Sequence, residues 1–159
     1  MKKLLFITLA IFGLASVNAQ GFKLGANVGI PTGDASDYSS FSIGLDVNFL
    51  WEVSDSFDAG LVTGFSHNFI KEDWDSFIDD VQFLPIGAAG RYNLSEDFKI
   101  GADLGYAIGI NDGNDGGFYY RPMIGYDISQ RVELNLSYSG VVNDGDTWSN
   151  ISLGIMFGL

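Results

Sequence analysis

The chain contains no cysteine, a single histidine and only eight lysines and arginines, and each shortage excludes a class of protein. Without cysteine there is no disulfide framework, no thiolate nucleophile and no thiolate metal site. Twenty acidic residues against eight basic ones give a formal net charge of −12. This balance argues against nucleic acid as a partner, because neutralising phosphates requires clustered Lys and Arg. At 159 residues the chain is expected to form one domain.

The first nineteen residues have the three parts of a secretory signal peptide. A basic start at residues 1–3 precedes an apolar run from Leu4 to Val17, and small residues at Val17 and Ala19 precede Gln20. The run is shorter than the ~20 apolar residues that a spanning helix needs, although a membrane anchor is the alternative. We expect a signal peptide over 1–19 and a mature domain over 20–159. Cleavage removes two lysines, so six basic residues (8 − 2) face twenty acidic ones, a charge of −14.

After residue 20 the chain shows no helical period, and apolar residues recur at every second position in eight segments. The last segment is the clearest, because every odd position from Ile151 to Leu159 is Ile, Leu or Phe. A period of two indicates a β-strand with unlike faces. Each segment spans roughly nine to thirteen residues, about the length of a tilted transmembrane strand. The other apolar faces run over 22–30, 41–51, 57–65, 84–94, 98–110, 120–128 and 132–138.

The connections between these segments are alternately short and long. An even number of strands with this alternation is typical of an outer-membrane barrel whose termini both lie on the periplasmic, short-turn side. Pairing the last strand with the first removes an exposed sheet edge. We therefore predict an all-β fold, an eight-stranded antiparallel up-and-down transmembrane β-barrel. The short turns are at 54–56, 95–97 and 129–131, and the longer loops at about 32–40, 67–80, 111–117 and 140–147.

The composition of the two faces indicates which one points outward. A soluble, lipocalin-like barrel would place the apolar face inside and expose the polar face to water. Water-facing surfaces are about a quarter to a third charged, whereas the polar face here is mostly Gly, Ser and Asn. The apolar face carries no charge in any of the eight segments. A charge in the middle of a bilayer costs about 2–4 kcal/mol, so we expect the apolar face to contact lipid.

The polar face would then line the lumen. Eight strands leave an interior that side chains fill. We predict an internal ion-pair network with glycines leaving room for the long side chains, and a proton or ion path is the alternative. Pro85 and Pro122 lie inside predicted strands, so each is expected at a bulge or near the rim. The predicted network comprises Lys23, Asp46, Asp58, Arg91, Lys99, Asp103, Arg121, Asp127 and Glu133.

Aromatic residues lie near both ends of the predicted strands, where interfacial girdles are expected. They therefore agree with a barrel that crosses a bilayer. The predicted girdle near the short turns comprises Phe49, Trp51, Phe57, Tyr92 and Phe98, and the one near the long loops comprises Tyr119, Tyr120, Tyr138 and Trp148.

The leader, the eight alternating segments and the closing strand together resemble the small eight-stranded outer-membrane barrels, OmpA/OmpX-like in layout, and especially the PorT-like family. The end of the chain carries the most specific feature. Ser152, Gly154, Phe157 and Leu159 resemble the C-terminal β-signal read by the barrel-assembly machinery, although those families more often end on Phe. The resemblance implies outer-membrane lipid and lipopolysaccharide as surroundings and the assembly machinery as a partner during biogenesis.

Few residues offer catalytic or metal-binding chemistry. His67, Ser66 and an acid of the second loop have the residue types of a base, a nucleophile and an orienting group, as in the barrels that modify lipid A. Adjacent strand residues point to opposite faces, however, so Ser66 and His67 do not meet easily and we expect no catalytic site. The Asn/Asp/Gly segments 111–117 and 143–146 do not have the spacing of a calcium loop. They are turn formers, and we expect no metal and no cofactor.

The second loop is the most distinctive surface segment, since it combines five acids with four large apolar residues over 68–80. It is either a solvated loop whose aromatic residues pack on the rim or a surface patch that binds a partner protein or a ligand. Its candidate interaction residues are Glu72, Asp73, Trp74, Asp75 and Phe77. We expect a non-enzymatic barrel that acts as a structural or surface-interaction protein through acidic extracellular loops. The alternatives are a lipid-A-modifying enzyme and a narrow channel.

Overall fold

The computed structural model describes residues 21–73 and 79–159. These residues form a closed barrel of eight strands, each paired antiparallel with its neighbours in chain order. The four-residue helix α1 (Ala35–Tyr38) lies between the first two strands. In the described ranges, no helix has the length and apolarity to cross a membrane. The strands are β1 (Phe22–Thr32), β2 (Ser39–Ser54), β3 (Phe57–Ile70), β4 (Val81–Asn93), β5 (Phe98–Gly109), β6 (Gly117–Ser129), β7 (Val132–Asn143) and β8 (Asp146–Gly158).

The first and last strands close the barrel. Their register runs continuously from Lys23 opposite Gly158 to Thr32 opposite Ser149. Beyond β8, the backbone N–H of Leu159 donates to the carbonyl of Phe22 at 3.1 Å. The predicted eight-stranded, antiparallel up-and-down barrel is confirmed.

The two ends of the barrel differ in their connections. The turn end carries the short connections at 55–56, 94–97 and 130–131, and the loop end carries the connections at 33–38, 71–80 and 110–116. The start of β1 and the end of β8 also lie at the turn end. The predicted alternation of long loops and short turns therefore holds for the first three loops and for all three turns.

The fourth connection at the loop end is shorter than predicted. Asn143 pairs with Asp146, so Asp144 and Gly145 alone form the turn. Their φ angles are 48° and 100°, which is the positive-φ pair of a type I′ hairpin turn. The long loop expected at 140–147 is wrong, because the strands continue to the tip of the hairpin. β3 likewise continues to Ile70, beyond the predicted start of its loop at 67.

The apolar faces of the strands form the outer wall. Leu45 is 59 % exposed and Leu61 is 61 % exposed, whereas Arg91 is 2 % exposed inside the barrel. A water-soluble barrel with inverted faces would show the opposite pattern. The outward belt is what a lipid-facing wall requires.

The aromatic girdle at the loop end is smaller than predicted. Tyr120 and Tyr138 lie on the outer wall, with ring centroids 6.1 Å apart. Tyr119, by contrast, is 7 % exposed and points inward, and Trp148 packs beside it inside the barrel. The assignment of these two residues to the girdle was wrong, because they have the inward parity of β6 and β8. At the turn end all five predicted girdle residues are exposed: Phe49, Trp51, Phe57, Tyr92 and Phe98.

Pro85 and Pro122 interrupt strand pairing without a bulge. The described bulges lie elsewhere, at Ser39/Phe41, Glu52/Ser54 and Asp127/Ser129. On either side of each proline the register is the same, so the bulge alternative is wrong at both positions. Both prolines lie in the half of their strands nearer the loop end. Because proline has no N–H, it removes a ladder hydrogen bond instead. The two interrupted stretches are residues 64–65 opposite 84–85 in β3–β4, and residues 121–122 opposite 138–139 in β6–β7.

A test of the lipid-facing wall compares the middle of a strand with its end. Leu104 lies near the middle of β5 and is 55 % exposed, and Leu94 lies in a connection at the turn end and is 53 % exposed. We expect Leu104→Arg to lower the free energy of unfolding by about 2–4 kcal/mol and Leu94→Arg by about 0–1 kcal/mol. Urea titration in phospholipid vesicles measures both, and equal costs would contradict a transmembrane wall.

Candidate functional site

The lumen contains an ion pair between strands on opposite sides of the barrel. Arg121 Nη1 of β6 lies 2.8 Å from Asp46 Oδ1 of β2. Asn27 Nδ2 donates to the second oxygen of Asp46 at 2.8 Å, and Arg121 Nη2 donates to Asn135 Oδ1 at 3.4 Å. Side chains of four strands thus meet at this pair, which spans the lumen.

A second ion pair joins neighbouring strands. Arg91 Nη2 of β4 lies 2.6 Å from Asp103 Oδ1 of β5, and the two side chains are 2 % and 1 % exposed. This contact is close but lacks the alignment of a hydrogen bond. Arg91 Nη1 donates to the carbonyls of Gly90 and Ala102 at 3.0 and 3.2 Å. The charges are therefore paired and the guanidinium is also held by the wall itself.

A third group of ion pairs lies towards the turn end. Lys99 Nζ is 2.7 Å from Asp127 and 3.3 Å from Glu133, and Lys23 Nζ is 2.6 Å from Glu133. Asp58, which we also assigned to the network, makes no ion pair with the described residues and instead accepts a hydrogen bond from Asn93 Nδ2 at 3.3 Å. The other eight predicted lumen residues all lie in ion pairs.

Glycines provide the room for the long lumen side chains. A Cβ at Gly101 would lie 2.5 Å from Arg91 Cδ, and a Cβ at Gly125 would lie 2.9 Å from Lys99 Cγ. Real Cβ atoms do not approach other heavy atoms so closely. The glycines of the polar face therefore act as space for the basic side chains across from them.

An apolar cluster closes the lumen near the loop end, and we call it the lumen cap. This cluster was not predicted, although its members have the inward parity of their strands and that parity is visible in the sequence. Tyr119 is the largest of its buried members. The cap separates the ion pairs from the loops. It consists of Phe83, Ala107, Tyr119 and Val141, with Val81 and Trp148 packed against them.

Above the cap the loops enclose a vestibule of about 770 Å³. Its floor is the cap itself, and neither Lys nor Arg is among its described lining residues. No group of three or more His, Asp and Glu side chains within residues 21–73 and 79–159 is arranged to hold a metal ion. Because its described lining contains aspartates but neither Lys nor Arg, the vestibule is a concave, strongly acidic surface. Its acidic residues are Asp34, Asp37, Asp79, Asp112, Asp144 and Asp146.

The second loop is described only in part. Glu72 and Asp73 are exposed, whereas Trp74, Asp75 and Phe77 lie outside the described residues. At its start Lys71 holds the first loop, since its Nζ donates to the Ser36 carbonyl at 2.6 Å. The two loops are therefore joined at the rim.

His67 lies on the outer side of the barrel wall near the loop end. Its Nε2 is 2.9 Å from Asp80 Oδ2, and Gln82 Nε2 is 3.1 Å from its Nδ1. The ring lies against Phe69, with centroids 4.3 Å apart. Ser66 lines the interior instead. The structure thus brings a base and an acid of the second loop together, but it leaves the candidate nucleophile on the opposite face.

The residues compared with an assembly signal lie on β8 and just beyond it. Ser152 is 6 % exposed and lines the interior, and Gly154 faces Asn135 across the β7–β8 ladder. Phe157 and Leu159 are 48 % and 54 % exposed on the outer side. The polar and apolar members of the segment therefore occupy opposite faces.

Comparisons with known proteins identify the fold. No protein-family profile matches the chain, and no curated protein matches it either. Among solved structures, the outer membrane enzyme PagL is 15 % identical, with a TM-score of 0.62 over 86 % of this chain and 99 % of that one. Ail, the attachment invasion locus protein of Yersinia pestis, is 15 % identical, with a TM-score of 0.59 over 86 % and 95 %. A de novo designed transmembrane β-barrel is 18 % identical, with a TM-score of 0.58 over 87 % and 96 %.

The buried pair of Arg91 and Asp103 gives a test of the lumen. Removing one partner of a buried ion pair leaves an uncompensated charge and costs about 3–5 kcal/mol, whereas replacing both by apolar residues is often neutral. We expect this loss for Arg91→Met and recovery of most of it in the double variant Arg91→Met/Asp103→Leu. Urea titration in vesicles measures both. Asp58→Asn is the control and is expected to cost less than about 1 kcal/mol, because the Asp58 side chain makes one hydrogen bond within the described part of the chain.

Proposed function

We propose that this protein is a non-enzymatic outer-membrane barrel that acts as a structural or surface-interaction protein through its acidic loop end. One observation carries the proposal. The lumen is occupied by ion pairs and closed by the cap, while the wide acidic vestibule above the cap faces away from them. Such an interior favours a rigid support, and the surface available to a partner is at the loops.

The proposed location is the outer membrane of a bacterial cell. The outward apolar belt supports insertion in lipid, and lipopolysaccharide would surround the loop end. The signal peptide proposed at 1–19 lies outside the described residues and would direct export. The exposed side chains of Phe157 and Leu159 leave an apolar face for the assembly machinery to read. Membership of the PorT-like family is part of this proposal.

The charge of the loop end specifies the chemistry of its partner. The vestibule lining carries six aspartates and no lysine or arginine among the described residues. Such a surface attracts positively charged partners at long range and rejects acidic ones. A basic segment of another surface protein therefore fits it best.

This proposal is tested with a decalysine peptide and the barrel in zwitterionic nanodiscs. Neutralising Asp112, Asp144 and Asp146 to Asn removes three vestibule charges. Because each exposed charge contributes about 0.2–1 kcal/mol, removing three should raise Kd by roughly threefold or more at low salt. Isothermal titration calorimetry measures the change.

The matched control neutralises three acids at the turn end: Asp55→Asn, Glu96→Gln and Asp97→Asn. We expect it to change Kd by less than about twofold, since these acids do not line the vestibule. Equal losses in the two triple variants would mean that the peptide responds to net charge, and the proposed role of the loop end would fail.

A lipid-A-modifying enzyme is the second candidate, and the contact between His67 and Asp80 favours it. A histidine oriented by a carboxylate is the arrangement of a general base, and this one lies on the outer wall near the loop end. PagL is an outer membrane enzyme of the same fold, but likeness of fold does not transfer an activity. The position of Ser66 inside the barrel argues against this candidate.

Mass spectrometry of lipid A separates the two functions. We expect lipid A incubated with the refolded barrel to keep its mass, and the His67→Ala variant to give the same spectrum. A change in mass with the unmodified protein that disappears in His67→Ala would establish the enzyme instead. A narrow channel is disfavoured by the filled lumen, and stepwise conductance in planar bilayers would be its signature.

A further inference from the structure

A small cavity lies inside the barrel beneath the lumen cap. Its volume is about 40 Å³. The hydroxyl-bearing side chains of Ser42, Ser66, Ser139 and Ser152 are among its walls, together with Asn150. Internal cavities that stay dry are apolar, and a water molecule needs about 10–15 Å³ of such volume. This cavity is polar and has room for about three water molecules.

Two buried polar atoms in its walls have no hydrogen-bond partner among the described residues. Asn150 is 7 % exposed, and its Nδ2 donates to Asn68 Oδ1 at 3.0 Å, but its Oδ1 accepts nothing. The indole N–H of Trp148 is buried and donates to nothing. An unmet buried group costs about 1–3 kcal/mol. One is an acceptor and the other a donor, so water molecules in the cavity could accept from Trp148 and donate to Asn150.

The interrupted stretches provide an independent argument. Phe65 and Pro85 belong to the β3–β4 stretch, Arg121 and Ser139 belong to the β6–β7 stretch, and all four line this cavity. Backbone polar groups at membrane depth need a partner inside the protein, and irregular backbone is tolerated there when it is buried in protein or lines a water-filled cavity. The Pro85 carbonyl already accepts from Thr63 Oγ1 at 2.9 Å. The cavity therefore borders the two places where strand pairing is interrupted, and it can serve the remaining polar groups there.

We propose that this cavity is a binding site for about three water molecules, held by Asn150 and Trp148. These water molecules supplement the hydrogen bonding of the two strand stretches interrupted at Pro85 and Pro122. Phe83, Val141 and Trp148 belong to the walls of both the cavity and the vestibule. The cap therefore separates the bound water from the solvent above. The site is distinct from the acidic surface proposed to bind a partner.

Nuclear magnetic resonance of the indole groups tests this proposal. The mature chain is labelled with ¹⁵N in its three tryptophans and refolded in deuterated detergent, and Trp148→Phe identifies the Trp148 signal. We expect a cross-relaxation peak between the Trp148 indole proton and water, with the sign of a long-lived water molecule. In Asn150→Leu, which removes the acceptor and places apolar atoms in the cavity, we expect this peak to disappear.

Ser149→Ala is the matched control. Ser149 precedes Asn150 on β8, but its hydroxyl donates to the Thr32 carbonyl and it is not among the residues that line the cavity. We expect it to keep the water peak, and the heat-dependent shift in electrophoretic mobility verifies folding of each variant. A resolved Trp148 signal without a water peak in the unmodified protein would overturn the proposal, as would a peak that persists in Asn150→Leu. If Asn150→Leu does not fold, the spectrum of the unmodified protein decides alone.

Discussion

The structure depends on one constraint, which is that backbone hydrogen bonds in a lipid environment must be made within the protein. Closing β8 against β1 meets this constraint for the two strands that would otherwise be edges. The alternation of side chains follows from the same closure, since each strand then has one face towards lipid and one towards the lumen. At Pro85 the wall is supported by Thr63, whose hydroxyl donates to the Pro85 carbonyl at 2.9 Å, and both interrupted stretches border an interior cavity with polar walls.

The width of the barrel determines how the lumen is filled. With eight strands the interior holds side chains and little else. Arg91 and Lys99 fit inside it because their cross-strand neighbours are Gly101 and Gly125, which have no side chain. Each charge is then balanced by a carboxylate within 4 Å, which offsets part of the cost of removing it from water. Glycine and charge on one face are therefore two parts of a single packing arrangement.

Much of this was predictable from alternation alone, including the strand order, the outward face and most of the lumen residues. The errors arose where alternation is ambiguous. Tyr119 and Tyr120 are identical neighbours with opposite directions, and only the parity of β6 assigns one to the cap and the other to the wall. The two-residue turn at Asp144 and Gly145 was not predicted, because the residues on either side, Asn143 and Asp146, are also turn formers. The contact of His67 with Asp80 depends on the path of a loop, which no periodicity specifies.

The balance of charge in the lumen has a consequence for how the protein responds to its surroundings. The ion pairs contain four basic side chains and four carboxylates, so they add no net charge to the membrane-embedded part. The strongly negative charge of the chain therefore resides at its two ends. A voltage across the membrane exerts almost no net force on the interior. Changes in dissolved ions alter what approaches the rim while leaving the barrel beneath it undisturbed.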